Sequence, residues 1–218
     1  MENKPDGFVD PNIEKKEISE AEVRARLHFY HQTTKEKWKK IIEAGAILSE
    51  KELVERGFIT AEQLEDDLFD ETSTGSLDRE AGRDQYVFAS HVPHGYGEIT
   101  LELDPSILEI KGAKVAMAGD WLHYCDSEEG RKYFEESEIP ASEFVHYLTK
   151  FINSLPDPEW FWGKRDEKLK ELIGEGFKES SSGNSQKIRT FWSLFPEIML
   201  PKELPLSFIK KGLEEKNN

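Results

Sequence analysis

Residues 27–34 read LHFYHQTT, and this short stretch indicates the fold more clearly than any other part of the chain. Apolar and polar side chains alternate well enough here to predict a half-buried β-strand that carries one ionisable side chain, His31. Thr33 is followed three residues later by Glu36, which is the pattern of a capping box at the start of a helix. Gly45 is placed to end that helix. The stretch therefore predicts a strand that leads directly into a capped helix.

A second informative stretch lies near the C-terminus, where residues 195–206 read FPEIMLPKELPL. Glu197 is an isolated charge at the start of a predicted apolar strand, and such a charge is costly to bury without a partner or a purpose. It lies either in a substrate pocket or on the solvent face of an edge strand. We take Glu197 as the first candidate for a catalytic residue.

The rest of the chain alternates irregularly between helix and strand signals. Residues 85–90 (QYVFAS) and 97–103 (GEITLEL) read as two strands joined by a loop. Further strands are predicted at 114–118, 188–194 and 197–200, and helices at 18–26, from 60 onward, 140–155 and 157–177. This order predicts an α+β fold, and no glycine-rich nucleotide fingerprint of the Rossmann or P-loop kind occurs.

Length and composition predict a single domain of an ordinary globular class. The chain has 218 residues and is 37% hydrophobic, which is enough for one sizeable core. Residues 1–16 are polar and read as a flexible N-terminal tail, residues 17–213 as one domain, and residues 214–218 as a C-terminal tail.

The formal net charge of −15 disfavours broad binding to nucleic acid or an anionic membrane, although a local basic groove stays possible. One cysteine, no signal-peptide pattern and no bilayer-length apolar run lead us to expect a cytoplasmic protein without a membrane partner.

Four motifs follow one another along the chain in an order that is typical of one enzyme superfamily. They are a His-x-Thr strand end, a capped helix ending Ile-Ile-x-x-Gly, a Tyr-Val-Phe-Ala-Ser strand and a late Glu-Ile-Met-Leu-Pro strand. Together they resemble the ADP-ribosyltransferase superfamily of the His-Tyr-Glu type, closest to the DNA-targeting toxins and their bacterial and phage relatives. The resemblance implies a split, bent β-sandwich with peripheral helices, which binds NAD as a substrate in a cleft between two small sheets. It also implies transfer of ADP-ribose to a macromolecular acceptor, nucleic acid or protein, in a toxin or phage–host conflict role.

The resemblance assigns a role to each matching residue. His31 would hydrogen-bond the nicotinamide-side ribose, while the backbone beside it, at Gln32 and Thr33, would hold the carboxamide. Tyr86 would stack on the nicotinamide ring, with Phe88 and Tyr96 as fallbacks. Glu197 would stabilise the oxocarbenium-like transition state and take a proton from the acceptor. The plainer alternatives are a histidine at a sheet edge, a threonine that only caps a helix and a tyrosine that only fills the core.

Residues 71–84 (ETSTGSLDREAGRD) are rich in turn-forming and charged residues, and we expect a mobile loop beside the cleft that contributes to acceptor recognition. Arg79 and Arg83 in this loop are candidate ligands of the NAD pyrophosphate, although they could equally be surface arginines. Residue 195 is Phe, so the Glu-x-Glu or Gln-x-Glu pair of arginine- and asparagine-directed relatives is absent. Protein arginine is therefore a disfavoured acceptor.

Other functions stay open at this point. On the same fold, the reaction could be NAD hydrolysis or RNA 2'-phosphotransfer, and a non-catalytic acidic interaction or immunity domain is a further alternative. A metal site built from the paired histidines, His28 with His31 and His91 with His94, together with Asp120 and His123, is disfavoured. A spacing of three on a strand points two side chains to opposite faces, and residues 91–97 (HVPHGYG) read as a loop. We therefore predict no metal ligands, and the sequence leaves the acceptor and the oligomeric state open.

Overall fold

The structure, a computed structural model, describes residues 17–66, 79–91, 98–118, 127–154 and 196–214. The predicted N-terminal tail, the predicted helix 157–177 and the predicted strand 188–194 lie outside these ranges. The described helices are α1 (Glu20–Arg26), α2 (Lys35–Ala44), α3 (Glu50–Glu55), α4 (Ala61–Asp66), α5 (Glu128–Glu136) and α6 (Phe144–Ser154). The described strands are β1 (Phe29–Thr33), β2 (Ala46–Leu48), β3 (Tyr86–Ser90), β4 (Ile99–Leu103), β5 (Lys114–Ala116), β6 (Glu138–Pro140), β7 (Glu197–Pro201), β8 (Glu203–Pro205) and β9 (Ile209–Glu214).

Side-chain caps set where the first helices of the chain begin. Ser19 and Glu22 form a complete capping box at the start of α1. The prediction that Thr33 caps α2 is wrong, because Thr33 still pairs with Ile99 as the last residue of β1 and its side chain is buried. Thr34 is the first residue clear of the strand, and its side-chain oxygen accepts from the backbone N–H of Lys37 at 3.1 Å.

Gly45 ends α2 with a left-handed φ of 72°, as its position in the sequence predicts. Thr60 and Gln63 form a reciprocal pair of capping bonds before α4, at the helix start that the sequence predicts. These helix boundaries are local features, and they agree with the sequence pattern.

The strands form one large antiparallel sheet and one small one. The large sheet has seven strands in the order β6-β5-β7-β3-β1-β4-β9, and β2 pairs with β8 in the small sheet. The structure is therefore α+β, as predicted from the sequence. β3 and β4 follow each other along the chain, but β1 lies between them and pairs with both.

The large sheet is split between β1 and β3. β1 pairs with β4 along its whole length, from Phe29↔Leu103 to Thr33↔Ile99. Toward β3, in contrast, the described residues of β1 form the single register pair Tyr30↔Ser90. Because the two strands are antiparallel, the gap beyond this pair is bordered by the end of β1 on one side and the start of β3 on the other. The split divides the sheet into a β6-β5-β7-β3 half and a β1-β4-β9 half.

Apolar side chains pack on both faces of the sheet, in two clusters of different size. The larger cluster joins Phe29, Leu101, Ile198 and Leu200 of the sheet to Phe144, Leu148 and Ile152 of α6 and to Val23 of α1. The smaller cluster consists of Ala116, Ala118, Phe134 and Met199, with Tyr86 and Phe88 packed against it. Neighbouring residues of β7 alternate between the two clusters, as strand geometry requires. Among the described helices, none is both long enough and apolar enough to cross a membrane.

Candidate active site

Glu197 opens β7, an inner strand of the large sheet. Its cross-strand neighbours are Ser90 on β3 and Ala116 on β5, so an edge-strand position is excluded. The side chain retains 20% of its exposure. Ser90 is also the residue that pairs with Tyr30 across the split. Glu197 therefore belongs to the row of residues at which the two halves of the sheet still meet, at the apex of the split.

A buried arginine holds the Glu197 carboxylate. Arg83 lies three residues before β3, and only 5% of its surface is exposed. Its Nη2 atom donates to Glu197 Oε2 and lies 3.7 Å from the sulfur of Met199. The sequence suggests Arg83 as a pyrophosphate ligand or a surface arginine. The structure corrects the surface alternative, because Arg83 is buried and its guanidinium contacts the carboxylate, while its role as a pyrophosphate ligand stays a prediction. The correction has a topological cause, since the pairing of β3 with β7 brings together two residues 114 positions apart.

The rest of the predicted acceptor-recognition loop is only partly described. Arg79 is half-buried just before Arg83, and its role as a pyrophosphate ligand stays a prediction. Residues 67–78 lie outside the described part of the chain, so the mobility predicted for residues 71–84 is not tested there. The described end of the segment does approach Glu197, through Arg83.

His31 lies at the point where the split opens. Its Nδ1 atom is 2.8 Å from the backbone carbonyl oxygen of Phe88 on the opposite side of the gap. A carbonyl oxygen only accepts hydrogen bonds, so Nδ1 carries the proton and Nε2 keeps its lone pair. Burial lowers the pKa of His31 from its ordinary value of 6.5, the bond to Phe88 opposes that shift, and the charge of Lys37 adds to it. The ring is therefore neutral at pH 7, and its Nε2 atom can accept a hydrogen bond from a hydroxyl group.

Gln32 and Thr33 follow His31 along the edge of the split. The carbonyl of Thr33 accepts from the backbone N–H of Glu98, on the β4 side. Backbone groups of successive strand residues point to opposite edges, so those of Gln32 face the split. The side chain of Gln32 donates to the hydroxyl of Thr100 at 3.3 Å. The predicted use of the backbone beside His31 thus has a geometric basis at Gln32, whereas the side chain of Thr33 is buried away from solvent.

Tyr86 lies on the same face of β3 as Ser90, the cross-strand neighbour of Glu197, but at the other end of the strand. It pairs with Pro201, whereas Glu197 pairs with Ser90. Four residues of strand correspond to about 13 Å along the sheet. Phe88 is two residues closer to the Glu197 row, and Tyr96 lies outside the described residues. The predicted stacking role of Tyr86 therefore requires a ligand that extends along β3.

Tyr30 is a candidate that the sequence reasoning missed. Its register partner Ser90 also pairs with Glu197, so Tyr30, Ser90 and Glu197 form one row on one face of the sheet. Alternation along residues 27–34 places Tyr30 on the face opposite His31. Only the pairing register, however, puts it in the row of Glu197. The sequence contains no signal for that register.

No group of three or more candidate metal ligands occurs within the described ranges of the chain. His28 contacts Glu102, with its Nδ1 atom 3.2 Å from Oε1, while His31 contacts Phe88, so the two histidines have different surroundings. Of the other residues considered for a metal site, His94, Asp120 and His123 lie outside the described residues.

The chain matches no protein-family model, and neither the curated proteins nor the solved structures provide a match to it. Its function is therefore inferred from the geometry of this site and from the motifs that the site brings together.

Proposed function

We propose that this protein is an NAD-dependent ADP-ribosyltransferase in which Glu197 is the catalytic carboxylate. One observation carries the proposal: the large sheet splits between β1 and β3, and the motif residues border the split with Glu197 at its apex. A cleft between two half-sheets is what the resemblance to the His-Tyr-Glu transferases implies for NAD. The site offers a glutamate held by a buried arginine on one face of the sheet and a neutral histidine on the other face, so one ligand can contact both only by passing through the split.

The chemistry assigns a role to each group. The bond between the nicotinamide nitrogen and the ribose C1' breaks, and nicotinamide leaves as a neutral molecule. Positive charge then develops on the ribose, and a fixed carboxylate stabilises it. A hydroxyl or amine of the acceptor forms the new bond to C1' and passes its proton to Glu197. Arg83 supports this role by position, because its Nη2 atom donates to Glu197 Oε2 and holds the carboxylate in place.

The residues at the start of the split would bind the substrate. The Nε2 atom of His31 would accept a hydrogen bond from a ribose hydroxyl, and the backbone of Gln32 would bind the nicotinamide carboxamide. Neither group has to change its protonation state during the reaction. Both belong to β1, which pairs with β4 along its whole length while its other edge borders the split.

Water as the acceptor would make the same site an NAD glycohydrolase, so the test compares both reactions. We would measure nicotinamide release by chromatography with NAD alone and with DNA, RNA or protein added. We expect release in the wild type and a loss of roughly 100-fold or more in Glu197→Gln, which is the scale for removing a key electrostatic group. Wild-type turnover in Glu197→Gln would remove the basis of the proposal.

Glu138→Gln is the matched control for this experiment. The Glu138 side chain is 21% exposed and pairs with Lys114 at 2.7 Å, so it resembles Glu197 in burial and in having a cationic partner. It lies on the edge strand β6, in the same row as Glu197 but two strands away from it, and β5, β7 and β3 separate it from the split. We expect Glu138→Gln to retain nicotinamide release. If the wild type neither releases nicotinamide nor is stabilised by millimolar NAD, the non-catalytic interaction domain becomes the better interpretation.

A further inference from the structure

The smaller apolar cluster is built around a cation. The Cζ atom of Arg83 lies 4.9 Å from the ring centroid of Phe88 and 4.9 Å from the ring centroid of Phe134. Phe88 belongs to β3 and Phe134 to α5, so two separate elements contribute the rings. We call Phe88 and Phe134 the aromatic clamp. Both distances are within the range in which an aromatic face attracts a guanidinium.

The aromatic clamp restricts the Arg83 side chain, which would otherwise have many rotamers. A guanidinium is planar, and stacking on aromatic rings limits its movement out of that plane. Phe134 itself is 1% exposed, and the other fully buried members of the cluster are two alanines and Met199. Met199 also contacts the Arg83 guanidinium through its sulfur. The position of the guanidinium is therefore set by its apolar surroundings as well as by Glu197.

The position of Phe134 is set by the bonds at the end of α5. The Ser137 hydroxyl donates to the carbonyl of Phe134 at 2.6 Å and accepts from the backbone N–H of Ala118 at 3.0 Å. The backbone N–H of Met117 donates to the carbonyl of Ser137 at 3.1 Å. These bonds tie the end of α5 to the segment that follows β5, the strand beside β7. Phe134 is thereby fixed relative to the strand that carries Glu197.

We propose that Phe134 is a positioning residue: through the cation–π contact with Arg83 it holds the Glu197 carboxylate in the orientation used for turnover. This inference rests on the proposed function, because it assigns Glu197 the catalytic role. Phe134 does not border the split itself and acts on the reaction only through Arg83. The relevant property of Phe134 is the charge distribution of its ring as well as its volume.

The test replaces Phe134 with fluorinated phenylalanines. Stepwise fluorination weakens the negative face of the ring while changing its volume little. We expect kcat for nicotinamide release to fall stepwise, by roughly tenfold for the trifluoro ring, which is the scale of a desolvated cation–π contact. KM for NAD should stay unchanged, because Phe134 does not contact the substrate. The same series at Phe144, which is equally buried in the larger cluster, is the control and should leave kcat unchanged.

A second measurement does not depend on activity. In ¹⁵N-arginine spectra, the guanidinium signal of Arg83 is assigned by its loss in Arg83→Lys. We expect this signal to be protected from solvent exchange in the wild type and in the Phe144 series, and to lose protection in the trifluoro-Phe134 protein. This measurement reports on the clamp even if Glu197→Gln retains full activity and the proposed function fails.

Two results would overturn the inference. If fluorination at Phe134 changes neither kcat nor the Arg83 signal, the ring only fills space. If it changes the Arg83 signal and leaves kcat at the wild-type value, the clamp fixes Arg83 without positioning Glu197 for the reaction.

Discussion

The two faces of the seven-stranded sheet are packed in different ways. The face toward α6 is an apolar core in which side chains such as Ile198, Leu200 and Phe144 are wholly buried. The opposite face carries a small cluster with the Arg83–Glu197 ion pair inside it. The face toward α6 stabilises the fold by burying apolar surface, so its packing needs no functional explanation. A buried ion pair is weak evidence for stability, because desolvation offsets its attraction, so the second face calls for a functional explanation.

The largest expected effect tests the ion pair itself. Arg83→Leu leaves the mostly buried Glu197 carboxylate without its cation, and we expect the free energy of unfolding to fall by about 3–4 kcal/mol in urea titrations. The double variant Arg83→Leu, Glu197→Leu removes both charges and should recover most of that loss. Neither variant should release nicotinamide. A double variant no more stable than the single one would mean that the pair does not behave as a desolvated ion pair.

Substitutions at two neighbouring residues of β7 distinguish the roles of the two sheet faces. Ile198→Ala opens a cavity in the larger cluster, and we expect a loss of about 3 kcal/mol in unfolding free energy. Met199→Ala lies in the smaller cluster, and we expect about 2 kcal/mol. Because the Met199 sulfur contacts the Arg83 guanidinium, only this second variant should also lower kcat. Equal kcat in the two folded variants would contradict the functional distinction between the faces.

Substrate binding gives a smaller effect on the same face. NAD at ten times its Kd should raise the unfolding free energy by about 1.4 kcal/mol, seen as a rise in Tm. Tyr86→Ala should reduce this shift if the ligand extends along β3 to the tyrosine. Tyr147→Ala, at a 43% exposed position on α6, is the control and should leave the shift unchanged. Equal shifts in the two variants would remove Tyr86 from the binding site.

The smallest effect concerns His31, where the split opens. Burial lowers the pKa of His31 in the folded state below its ordinary value of 6.5, so the unfolded chain binds a proton first as the pH falls. The stability contribution of the neutral ring is therefore complete above pH 6.5 and is lost as the pH falls toward the folded pKa. His31→Asn keeps an N–H donor for the Phe88 carbonyl but does not titrate, so unfolding measured from pH 7.5 to 5 should show a flatter dependence.

His28→Asn controls for the loss of an imidazole elsewhere on the same segment, because the His28 side chain is 56% exposed. An unchanged slope in His31→Asn, or an equal flattening in both variants, would show that His31 is not the group responsible.

Much of the local structure could be predicted from the sequence. The boundary at Gly45 follows from a glycine in a left-handed conformation, and the helix start at Thr60 follows from side chains that bond the first free N–H groups. The cap of α2 was misplaced by one residue, because strand pairing held Thr33 in the ladder. α5 was missed, although Ser127 and the acids after it are a recognisable start signal.

The features of the candidate site also divide into those that the local sequence predicts and those that it does not. That His31 and Glu197 are polar groups within strands follows from the sequence alone, because period-two alternation and the cost of an isolated charge are properties of neighbouring residues. Three features are visible only in the folded chain: β1 lies between β3 and β4, β1 separates from β3 after one pair, and Arg83 and Phe134 converge beside Glu197. Strand order and register depend on pairings between residues that are distant in the sequence. Alternative pairings of similar strands differ little in free energy, so no single stretch of the chain predicts which pairing forms.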